Sequence, residues 1–382
     1  MLIVSIDTLR ADRLGCQGYA RDTTPALDRL ARERAVRFAN AVAEAPWTLP
    51  SHVTLLSGLH PLTHGVRRPE EAPGDEVALL AELLGESHYS FALTDGGWIS
   101  EAWGFARGFD SFHAQDRDVE RAVEAVLEYV RHRAGKGPWL GFLHTYDVHC
   151  PYDPPEPYRG RYASPEAEPI EVEGRCGNPD FNAAGVTPGQ ARFLADRYDE
   201  DVRRVDDALG KLFAALDALD LWDETVVIVT SDHGEEFLEH GQIGHERTLS
   251  REVLAVPLLV AAPGIAPRVV SEVVGLADVV PTVLELVGRA PAPRLDGRSL
   301  VPLLRGAPDP GRAPFVVSEL AWQAERVVRT AADGRAEMEP MAMVVDPHGL
   351  LKWRAEKLAA GYKPRPVDVA RQAAELQALG YF

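Results

Sequence analysis

The sequence predicts an α/β fold in which a large, mostly parallel central sheet is flanked by helices. Two apolar runs, Leu2–Ile6 and residues 225–230, each lead directly to an aspartate, Asp7 and Asp232. Continuous apolar runs of this kind are typical of strands that are covered on both faces. Open α/β sheets bind ligands just beyond the carboxyl ends of such strands. Both aspartates are therefore expected at one edge of the sheet.

The remaining elements are predicted from apolar spacing and from helix-capping residues. Thr24 and Pro25 mark a helix start, as the hydroxyl cap and the first helical residue. In chain order, the expected strands cover residues 38–43, 89–93, 139–143 and 252–260, and the expected helices cover residues 77–84, 119–133 and 191–219. Residues 151–188 are rich in proline, glycine and charge, and they are expected to form a long loop at the mouth of the site.

The chain length of 382 residues suits one large domain with a smaller C-terminal piece. The catalytic α/β domain is expected to span residues 1–310, and a sheet-plus-helix subdomain to span residues 311–382. In this subdomain, residues 315–318 and 342–345 are predicted to pair as a hairpin. A helix from about residue 367 to residue 379 is expected to close it.

The composition indicates an acidic globular protein, with 46% hydrophobic residues and a formal net charge of -18. This charge opposes binding to nucleic acid or to an anionic membrane. We therefore expect no nucleic-acid partner, and an anionic substrate would have to be attracted by local cations. Composition gives no signal for the oligomeric state.

The sequence predicts no transmembrane segment, because no apolar run approaches the roughly 20 residues that cross a bilayer. At the N-terminus, residues 1–6 are apolar, but no basic residues precede them and Asp7 interrupts the run. We expect a cytoplasmic protein, or a periplasmic or secreted one if a leader has been removed.

The three cysteines are expected to be free thiols. Cys16, Cys150 and Cys176 are odd in number and show no CxxC spacing. Neither a disulfide framework nor a thiolate zinc site is indicated by this pattern.

Imidazoles follow the second strand-end aspartate closely. Asp232 is succeeded by His233, and then by His240 and His245. Such a density of carboxylates and imidazoles beyond a buried strand indicates a metal site. The alternative is an ordinary strand that ends in a polar turn, with Asp232 as a helix cap.

A hydroxyl, Thr48, stands just ahead of a helix that is expected to begin near Pro50. The N-terminus of a helix favours an oxyanion or a developing alkoxide. Thr48 is therefore a candidate nucleophile. The alternative is that Thr48 only caps the helix.

Further motifs keep a common order along almost the whole chain. They lie at residues 6–16, 48–52, 58–65, 142–152, 230–235, 239–241, 278–282, 296–300 and 379–381. Together they resemble the sulfatase family of the alkaline phosphatase superfamily. The resemblance implies an alkaline-phosphatase-like fold and a metal-dependent hydrolase that acts on a small anionic ester.

The sequence departs from the sulfatase pattern at the nucleophile. Sulfatases carry a Cys or Ser, oxidised to formylglycine, in the motif Cys/Ser-x-Pro-Ser-Arg. Here Thr48 takes the first position and His52 the last. Threonine is not converted by that modification, so a formylglycine mechanism is excluded. A threonine nucleophile resembles the phosphodiesterase, phosphonate monoesterase and lipoteichoic-acid-synthase branches.

The resemblance implies a metal site formed by Asp7, Thr48, Asp232 and His233. The paired N-terminal aspartates of the family are reduced to Asp7 followed by Thr8, and its later Asp-Asn becomes Asp232-His233. An imidazole among oxygen ligands favours manganese or zinc over calcium.

The same resemblance places His149 at the ester as leaving-group acid or charge stabiliser, with His52 and His245 also lining the pocket where sulfatases use an arginine and lysines. Imidazoles titrate near neutral pH, so the rate is expected to depend on pH between about pH 6 and 8. Family members with two metals leave open a second ion, held by Asp147, His149 and His245.

The sequence therefore predicts a metal-dependent hydrolase of phosphoesters, with phosphodiesters or phosphonate monoesters preferred. Three alternatives stay open: a sulfuric ester hydrolase without formylglycine, a transferase of phosphoryl headgroups, and an inactive member that only binds an anion. The intact set of predicted metal ligands favours the hydrolase. The lack of a transmembrane segment weighs against a transferase that uses lipid.

Overall fold

The computed structural model describes residues 1–114, 118–171, 185–321, 326–331, 342–344, 356–357, 359–373 and 376. Within them, the strands are β1 Leu2–Ile6, β2 Ala35–Val42, β3 Glu71–Ala72, β4 Tyr89–Thr94, β5 Ser111–Ala114, β6 Trp139–Thr145, β7 Val227–Thr230, β8 Glu236–Phe237, β9 Ile243–Gly244, β10 Ala255–Val256, β11 Leu258–Ala261, β12 Arg268–Gly275, β13 Phe315–Leu320, β14 Arg326–Ala331, β15 Ala342–Val344 and β16 Arg365–Pro366. The α-helices are α1 Pro25–Glu33, α2 Thr48–Ser57, α3 Pro61–His64, α4 Leu80–Leu84, α5 Val119–Arg133, α6 Pro188–Ala218, α7 Arg251–Leu254, α8 Val279–Leu286 and α9 Val301–Leu304.

The core of the fold is a mixed nine-stranded sheet. Its strand order is β10-β2-β11-β7-β1-β6-β4-β5, with β12 paired to β2. The strands β7, β1, β6, β4 and β5 are parallel to one another, whereas β11 is antiparallel to both β7 and β2. The predicted α/β class with a mostly parallel central sheet is confirmed.

The register of the central strands sets the position of the site. Ser5 of β1 lies opposite Thr230 of β7 on one side and opposite His144 of β6 on the other. Because these strands are parallel, their carboxyl ends meet at one edge of the sheet. Asp7 and Asp232 follow β1 and β7 at this edge.

Two apolar layers cover the sheet, as the continuous apolar strands require. Along β1, Ile3 packs into one layer, and Leu2 and Val4 pack into the other. Each of these side chains is 0% exposed. Truncating one of them to alanine would cost about 2–5 kcal/mol. The strands that carry the site residues therefore lie in the buried core of the protein.

The helix α1 begins at Pro25 as predicted, but its cap differs from the prediction. The hydroxyl of Thr24 makes no capping hydrogen bond, and instead accepts one from the Gly15 amide (3.0 Å). The amides of Ala26 and Leu27 donate to the carboxylate of Asp206 on α6. A cap supplied from a distant helix leaves no local sequence signal.

Several predicted elements differ from the structure in extent or type. The helix over residues 119–133 is confirmed, and the helix predicted at residues 191–219 is α6. The helix predicted at residues 77–84 is confined to α4. The strand predicted at residues 252–260 is confirmed only in part, because its first residues form the helical turn α7 and the rest is divided into two short strands, β10 and β11. Such an unbroken apolar run does not distinguish strand from helix.

The C-terminal strands form a three-stranded antiparallel sheet in which β13 pairs with β14, and β14 with β15. The predicted direct pairing of residues 315–318 with residues 342–345 is therefore wrong, and residue 345 lies outside the described residues. The sheet is joined to the main body, since the Ser318 hydroxyl donates to the Ala43 carbonyl (2.7 Å). The domain boundary at residue 310 stays a prediction.

Two long predicted segments are described only in part. Residues 152–171 contain no helix or strand, in agreement with a loop, and residues 172–184 lie outside the described residues. Within the predicted C-terminal helix, Val369–Gln372 forms a 3₁₀ turn, and residues 374–375 and 377–379 lie outside the described residues, as does the motif at 379–381.

The prediction of three free thiols is wrong for Cys150, which is disulfide-bonded. Cys16 is a free thiol, and Cys176 lies outside the described residues. A disulfide closed by the fold need not follow a local spacing rule. Among the described helices, none is long and apolar enough to span a membrane.

Candidate active site

The ends of β1 and β7 deliver two carboxylates and an imidazole to one buried point. Asp7, Asp232 and His233 are each 0% exposed. One carboxylate oxygen from each aspartate and one ring nitrogen of the histidine all lie within 4.8 Å of one another. This brings together three of the four residues predicted to hold the metal.

The turn after β1 has a strained backbone at Thr8, which brings the Thr8 amide close to Asp232. Thr8 has a φ of 58°, which is uncommon for a residue with a branched Cβ. Its amide points to Oδ1 of Asp232 (3.4 Å), and its carbonyl accepts a hydrogen bond from the Tyr198 hydroxyl (2.8 Å). A backbone of this kind costs about 1–3 kcal/mol and persists where its surroundings fix it.

Thr48, the fourth predicted ligand, joins the group from the other side. It is the first helical residue of α2, and Trp47 occupies the N-cap position. The alternative that Thr48 is only the helix cap is therefore wrong. Its Oγ1 lies 3.3 Å from Nε2 of His233. The predicted nucleophile and the predicted metal ligands thus occupy one site, at the N-terminal end of a buried helix.

The tautomer of His233 leaves a lone pair for a metal. Its Nδ1 donates a hydrogen bond to the Gly234 carbonyl (2.9 Å), so Nε2 carries no proton in the neutral ring. This Nε2 lies 3.2 Å from Oδ2 of Asp232 and 3.9 Å from Oδ1 of Asp7. The nitrogen and the carboxylates therefore converge on a common region.

Two buried carboxylate oxygens of this group have no positive charge to compensate them among the described residues. Oδ1 of Asp7 and Oδ2 of Asp232 are buried, and neither accepts a hydrogen bond of good geometry from the residues that the structure describes. A buried carboxylate oxygen without a donor is costly unless a cation compensates it. These residues therefore fit a divalent cation.

The protonation of the group follows from its burial. Burial, and then the charge of Asp232, raise the pKa of Asp7 well above its usual value. Burial also acts to raise the pKa of Asp232, but the imidazoles of His233 and His52 outweigh it and hold that pKa below the usual range. Burial lowers the pKa of His233 to about 4. At neutral pH His233 is therefore an uncharged ligand.

His52 lies in the core directly beside the metal-ligand group. Its ring is 0% exposed and packs edge-on against Phe105 and Phe142, and its role in the ester pocket stays a prediction. Its Nδ1 donates to the Thr48 carbonyl (2.9 Å), and its Nε2 accepts from the Ser5 hydroxyl (2.9 Å). The same Nδ1 is 3.3 Å from Oδ2 of Asp232, which His52 supports from within the core.

His144 belongs to the site, although sequence reasoning did not propose it. Its Nε2 lies 3.4 Å from Oδ2 of Asp7, and it forms a second potential ligand group with Asp7 and His52. Burial, and then the charge of His52, lower the pKa of His144 well below its usual value. The available signal was its position near the end of a predicted strand, beside the strand that carries Asp7.

His245 lies next to the metal-ligand group, and His149 lies next to His245. The ring centroid of His245 is 4.3 Å from that of His233 and 5.2 Å from that of His149. His149 donates through Nδ1 to the Cys150 carbonyl (2.6 Å). The imidazoles of His233, His245 and His149 therefore form a row that begins beside Thr48.

Glu235 is the second residue that sequence reasoning missed. It is 0% exposed, and its Oε1 lies 2.9 Å from Nδ1 of His245. Its Oε2 accepts a hydrogen bond from the Tyr152 hydroxyl (2.7 Å). The signal was its place in the motif that contains Asp232 and His233. Glu235 fixes the orientation of His245.

Burial lowers the pKa of His245 to about 4, below the range of about pH 6 to 8 in which exposed imidazoles titrate. A rate that changes between about pH 6 and 8 would therefore depend on a group other than His245, and the pH dependence of the rate stays a prediction.

The structure does not assemble the second metal site. Oδ2 of Asp147 accepts a hydrogen bond from the Val119 amide (2.7 Å), and Oδ1 accepts one from Arg204 (2.8 Å). The ligand groups found among the described residues do not combine Asp147 with His149 and His245. Asp147 instead links the start of α5 to α6, because Val119 is the first residue of α5 and Arg204 lies on α6.

Known sequences that are similar to this chain belong to the superfamily that its motifs indicate. A family model described as Sulfatase matches residues 1–289. The multifunctional alkaline phosphatase superfamily protein PehA of Trinickia caryophylli is 32% identical over 214 residues, which are 48% of this chain and 40% of that protein. The ulvan-active sulfatase of Formosa agariphila is 26% identical over 347 residues, which are 81% of this chain and 65% of that protein. The chain thus spans less than two thirds of each relative.

Comparison with solved structures shows the same fold. The phosphonate monoester hydrolase from Silicibacter pomeroyi aligns with a TM-score of 0.72 and 19% identity, over 99% of this chain and 95% of that one. A 2-O GAG sulfatase aligns with a TM-score of 0.67 and 20% identity, over 99% and 90%. Because the family model covers most of the sequence and the motifs converge on one buried site, the chain belongs to the sulfatase family of the alkaline phosphatase superfamily.

Proposed function

We propose that the chain hydrolyses phosphate diesters or phosphonate monoesters in a metal-dependent reaction, with Thr48 as nucleophile. The observation that carries the proposal is the 3.3 Å separation between Oγ1 of Thr48 and Nε2 of His233, beside Asp7 and Asp232. It puts a hydroxyl among groups that fit a divalent cation. The N-terminal end of α2 adds a dipole that favours a negatively charged oxygen.

Asp7, Asp232, His233 and the Thr48 oxygen would hold the ion. When bound, a divalent metal would lower the pKa of the Thr48 hydroxyl and offset negative charge on the ester. Calcium prefers an all-oxygen set of six to eight ligands, whereas an imidazole among carboxylates suits manganese or zinc. We therefore propose manganese or zinc.

The reaction proceeds by two displacements at phosphorus. Thr48, which enters the cycle as the alkoxide, attacks phosphorus, the bond from phosphorus to the leaving oxygen breaks, and His149, protonated on both nitrogens, gives that oxygen the proton of Nε2. Water then attacks the threonyl-phosphorus intermediate while His149 takes one proton from it, and the bond between phosphorus and Thr48 breaks, which returns Thr48 as the alkoxide. Nδ1 of His149 donates a hydrogen bond to the Cys150 carbonyl, so Nε2 is the nitrogen that would exchange the proton.

The charge of the site supports a monoanionic substrate. His233 and His245, whose pKa values burial lowers to about 4, carry no positive charge at neutral pH. A site with so little added positive charge stabilises one negative charge on the ester better than two. Diesters and phosphonate monoesters carry one negative charge. The named phosphonate monoester hydrolase among the structural neighbours agrees with this class.

Sulfate esters are the second candidate, because relatives of this chain include a named ulvan-active sulfatase and a 2-O GAG sulfatase. Against them stands the nucleophile. A hydrated aldehyde releases sulfate by collapse of the hemiacetal, and Thr48 has no such route. A threonyl sulfate would need a second attack at sulfur, so we expect sulfate esters to react slowly.

The test is a set of matched aryl esters that share one leaving group: a phosphodiester, a phosphonate monoester, a phosphate monoester and a sulfate. We expect turnover of the first two to be fastest with manganese or zinc and to be abolished by a chelator. An aryl sulfate that reacts faster than both would overturn the preference for phosphorus. Absence of turnover with every ester would support the anion-binding alternative.

A further inference from the structure

A second cluster of potential metal ligands lies outside the catalytic group. It consists of Glu236 on β8, His240 in the turn between β8 and β9, and Glu252 on α7, with one ligand atom of each within 4.8 Å of the other two. We propose that this cluster binds a divalent transition-metal ion, which fastens the β8–β9 hairpin to α7. The inference is independent of the proposed substrate and nucleophile.

The backbone assembles the cluster without any help from a metal. The amide of Gly234 donates to the Val253 carbonyl (2.7 Å), and the amide of Glu235 donates to the Glu252 carbonyl (3.1 Å). A Cβ on residue 234 would lie 2.0 Å from that Glu252 oxygen, so only glycine permits the approach. Glu236 is thereby held beside Glu252.

Alternation along the extended chain separates this cluster from the catalytic one. The Glu235 side chain reaches His245, whereas the next side chain, Glu236, reaches Thr248. Successive side chains of a strand point to opposite faces. Glu236 is therefore directed away from the imidazoles of the active site.

Glu236 supplies the observation that points to a ligand. It is 1% exposed, and its Oε2 accepts a hydrogen bond from the Thr248 hydroxyl (2.7 Å). Its Oε1 is buried and accepts no hydrogen bond from the described part of the chain. A carboxylate oxygen in this position is costly unless something compensates it. A metal ion between Glu236, His240 and Glu252 would do so.

His240 and Glu252 are partly exposed, so an ion can reach the cluster from solvent. Nε2 of His240 lies 2.8 Å from Oε2 of Glu252, and their side chains are 51% and 18% exposed. An ordinary surface ion pair between them would contribute little to stability, and it would leave Glu236 unexplained. One imidazole and two carboxylates form a donor set for zinc or manganese, with room for water as a further ligand.

The ion would also restrain an active-site residue. His245 follows β9 directly, and β9 is paired with β8 in the same hairpin. Fastening the hairpin to α7 would therefore limit the motion of His245. His240 and Glu252 act in this picture as positioning residues through the ion.

The experiment measures zinc bound at equilibrium by protein that has been stripped with a chelator and dialysed. We expect His240→Ala and Glu252→Gln each to bind one ion fewer per chain than the wild type. The exposed His132 on α5 serves as a matched control, and His132→Ala should bind as the wild type does. Equal zinc content in the wild type and both cluster variants would overturn the proposal, as would an equal loss in His132→Ala.

A second arm separates the two sites. In an Asp232→Asn background, which removes a catalytic ligand, we expect one ion to remain, and we expect it to be lost when His240→Ala is added. Zinc should slow amide hydrogen exchange over residues 236–245 in the single variant and not in the double variant. Unchanged exchange would contradict the positioning role. Because each comparison leaves the catalytic group the same, failure of the proposed hydrolase would not alter its outcome.

Discussion

Oγ1 of Thr48 and Nε2 of His233 lie 3.3 Å apart, although 185 positions separate these residues in the sequence. The contact exists because α2 starts at Thr48 over the carboxyl ends of β1 and β7. Both residues are 0% exposed and belong to segments fixed by backbone hydrogen bonds. The hydroxyl is therefore oriented before any substrate arrives, which is the condition for efficient nucleophilic catalysis.

We expect Thr48→Ala to lower kcat on an aryl phosphodiester by a factor on the order of 10³ or more, since no other group can form the covalent intermediate. Thr48→Ser keeps a hydroxyl and should retain measurable turnover. Circular dichroism would confirm that both variants fold. Equal rates for Thr48→Ala and the wild type would contradict the assignment.

Asp7→Ala and Asp232→Asn should each remove the bound metal and most activity, on the order of 10² or more, while the fold is kept. Both carboxylates lie in the ligand group, so elemental analysis of the purified variants tests this prediction. A variant that retains stoichiometric metal at the catalytic group would show that its carboxylate is not a ligand.

Removing the metal should also expose the repulsion between the two aspartates. In the presence of a chelator we expect Asp7→Asn to be at least as stable as the wild type, because burial and the charge of Asp232 disfavour an ionised Asp7. With manganese or zinc added, the order should reverse, because only the wild type binds the ion tightly. Thermal unfolding with and without metal measures both. A destabilised Asp7→Asn in chelator would argue against this electrostatic picture.

The parts of the site that follow strands could be predicted from the sequence. Asp7 and Asp232 each end an apolar run, and parallel strands end at the same edge of a sheet. The packing of His52 could not be predicted, because its surroundings are set by Phe105 and Phe142, which come from distant segments. No periodicity near His52 shows which way its ring turns.

Asp147 shows the same limit. Its spacing from His149 suggested a ligand pair, but its partners are the Val119 amide and Arg204. Those contacts depend on how α5 and α6 pack over the sheet. Glu235 was overlooked for a related reason, since a carboxylate in a motif does not reveal which imidazole it holds.

Glu235→Gln should lower kcat by about 10- to 100-fold with little change in KM, because it loosens the orientation of His245 without removing a group from the substrate. The double variant Glu235→Gln/His245→Ala should be no slower than His245→Ala alone, since the two residues act as one unit. Glu285→Gln on the exposed side of α8 is the control. Additive losses in the double variant would mean that Glu235 acts separately.

Glu44 should make the stability of the protein depend on pH. It is 3% exposed, its oxygens accept hydrogen bonds from the Leu276 and Ala277 amides, and burial raises its pKa from 4.5 to about 8. The folded protein therefore keeps a proton that the unfolded chain loses, and this stabilisation is present at pH below 4.5 and disappears as the pH rises to about 8.

Glu44→Gln cannot lose that proton. Between about pH 5 and 8, the stability of the wild type should fall relative to Glu44→Gln by up to about 1.4 kcal/mol for each pH unit. Urea unfolding of both proteins across this range measures the difference. Parallel curves would show that Glu44 does not titrate there.

The most direct test of the account is the mass of the protein during turnover. An aryl phosphonate monoester would be mixed with the His149→Ala variant, in which the second displacement lacks its base, and the quenched protein would be digested and analysed by mass spectrometry. We expect a phosphonyl adduct on the peptide that contains Thr48, and none when Thr48→Ala is added. An adduct on another residue, or turnover of the ester by the Thr48→Ala variant at the wild-type rate, would contradict Thr48 as the nucleophile.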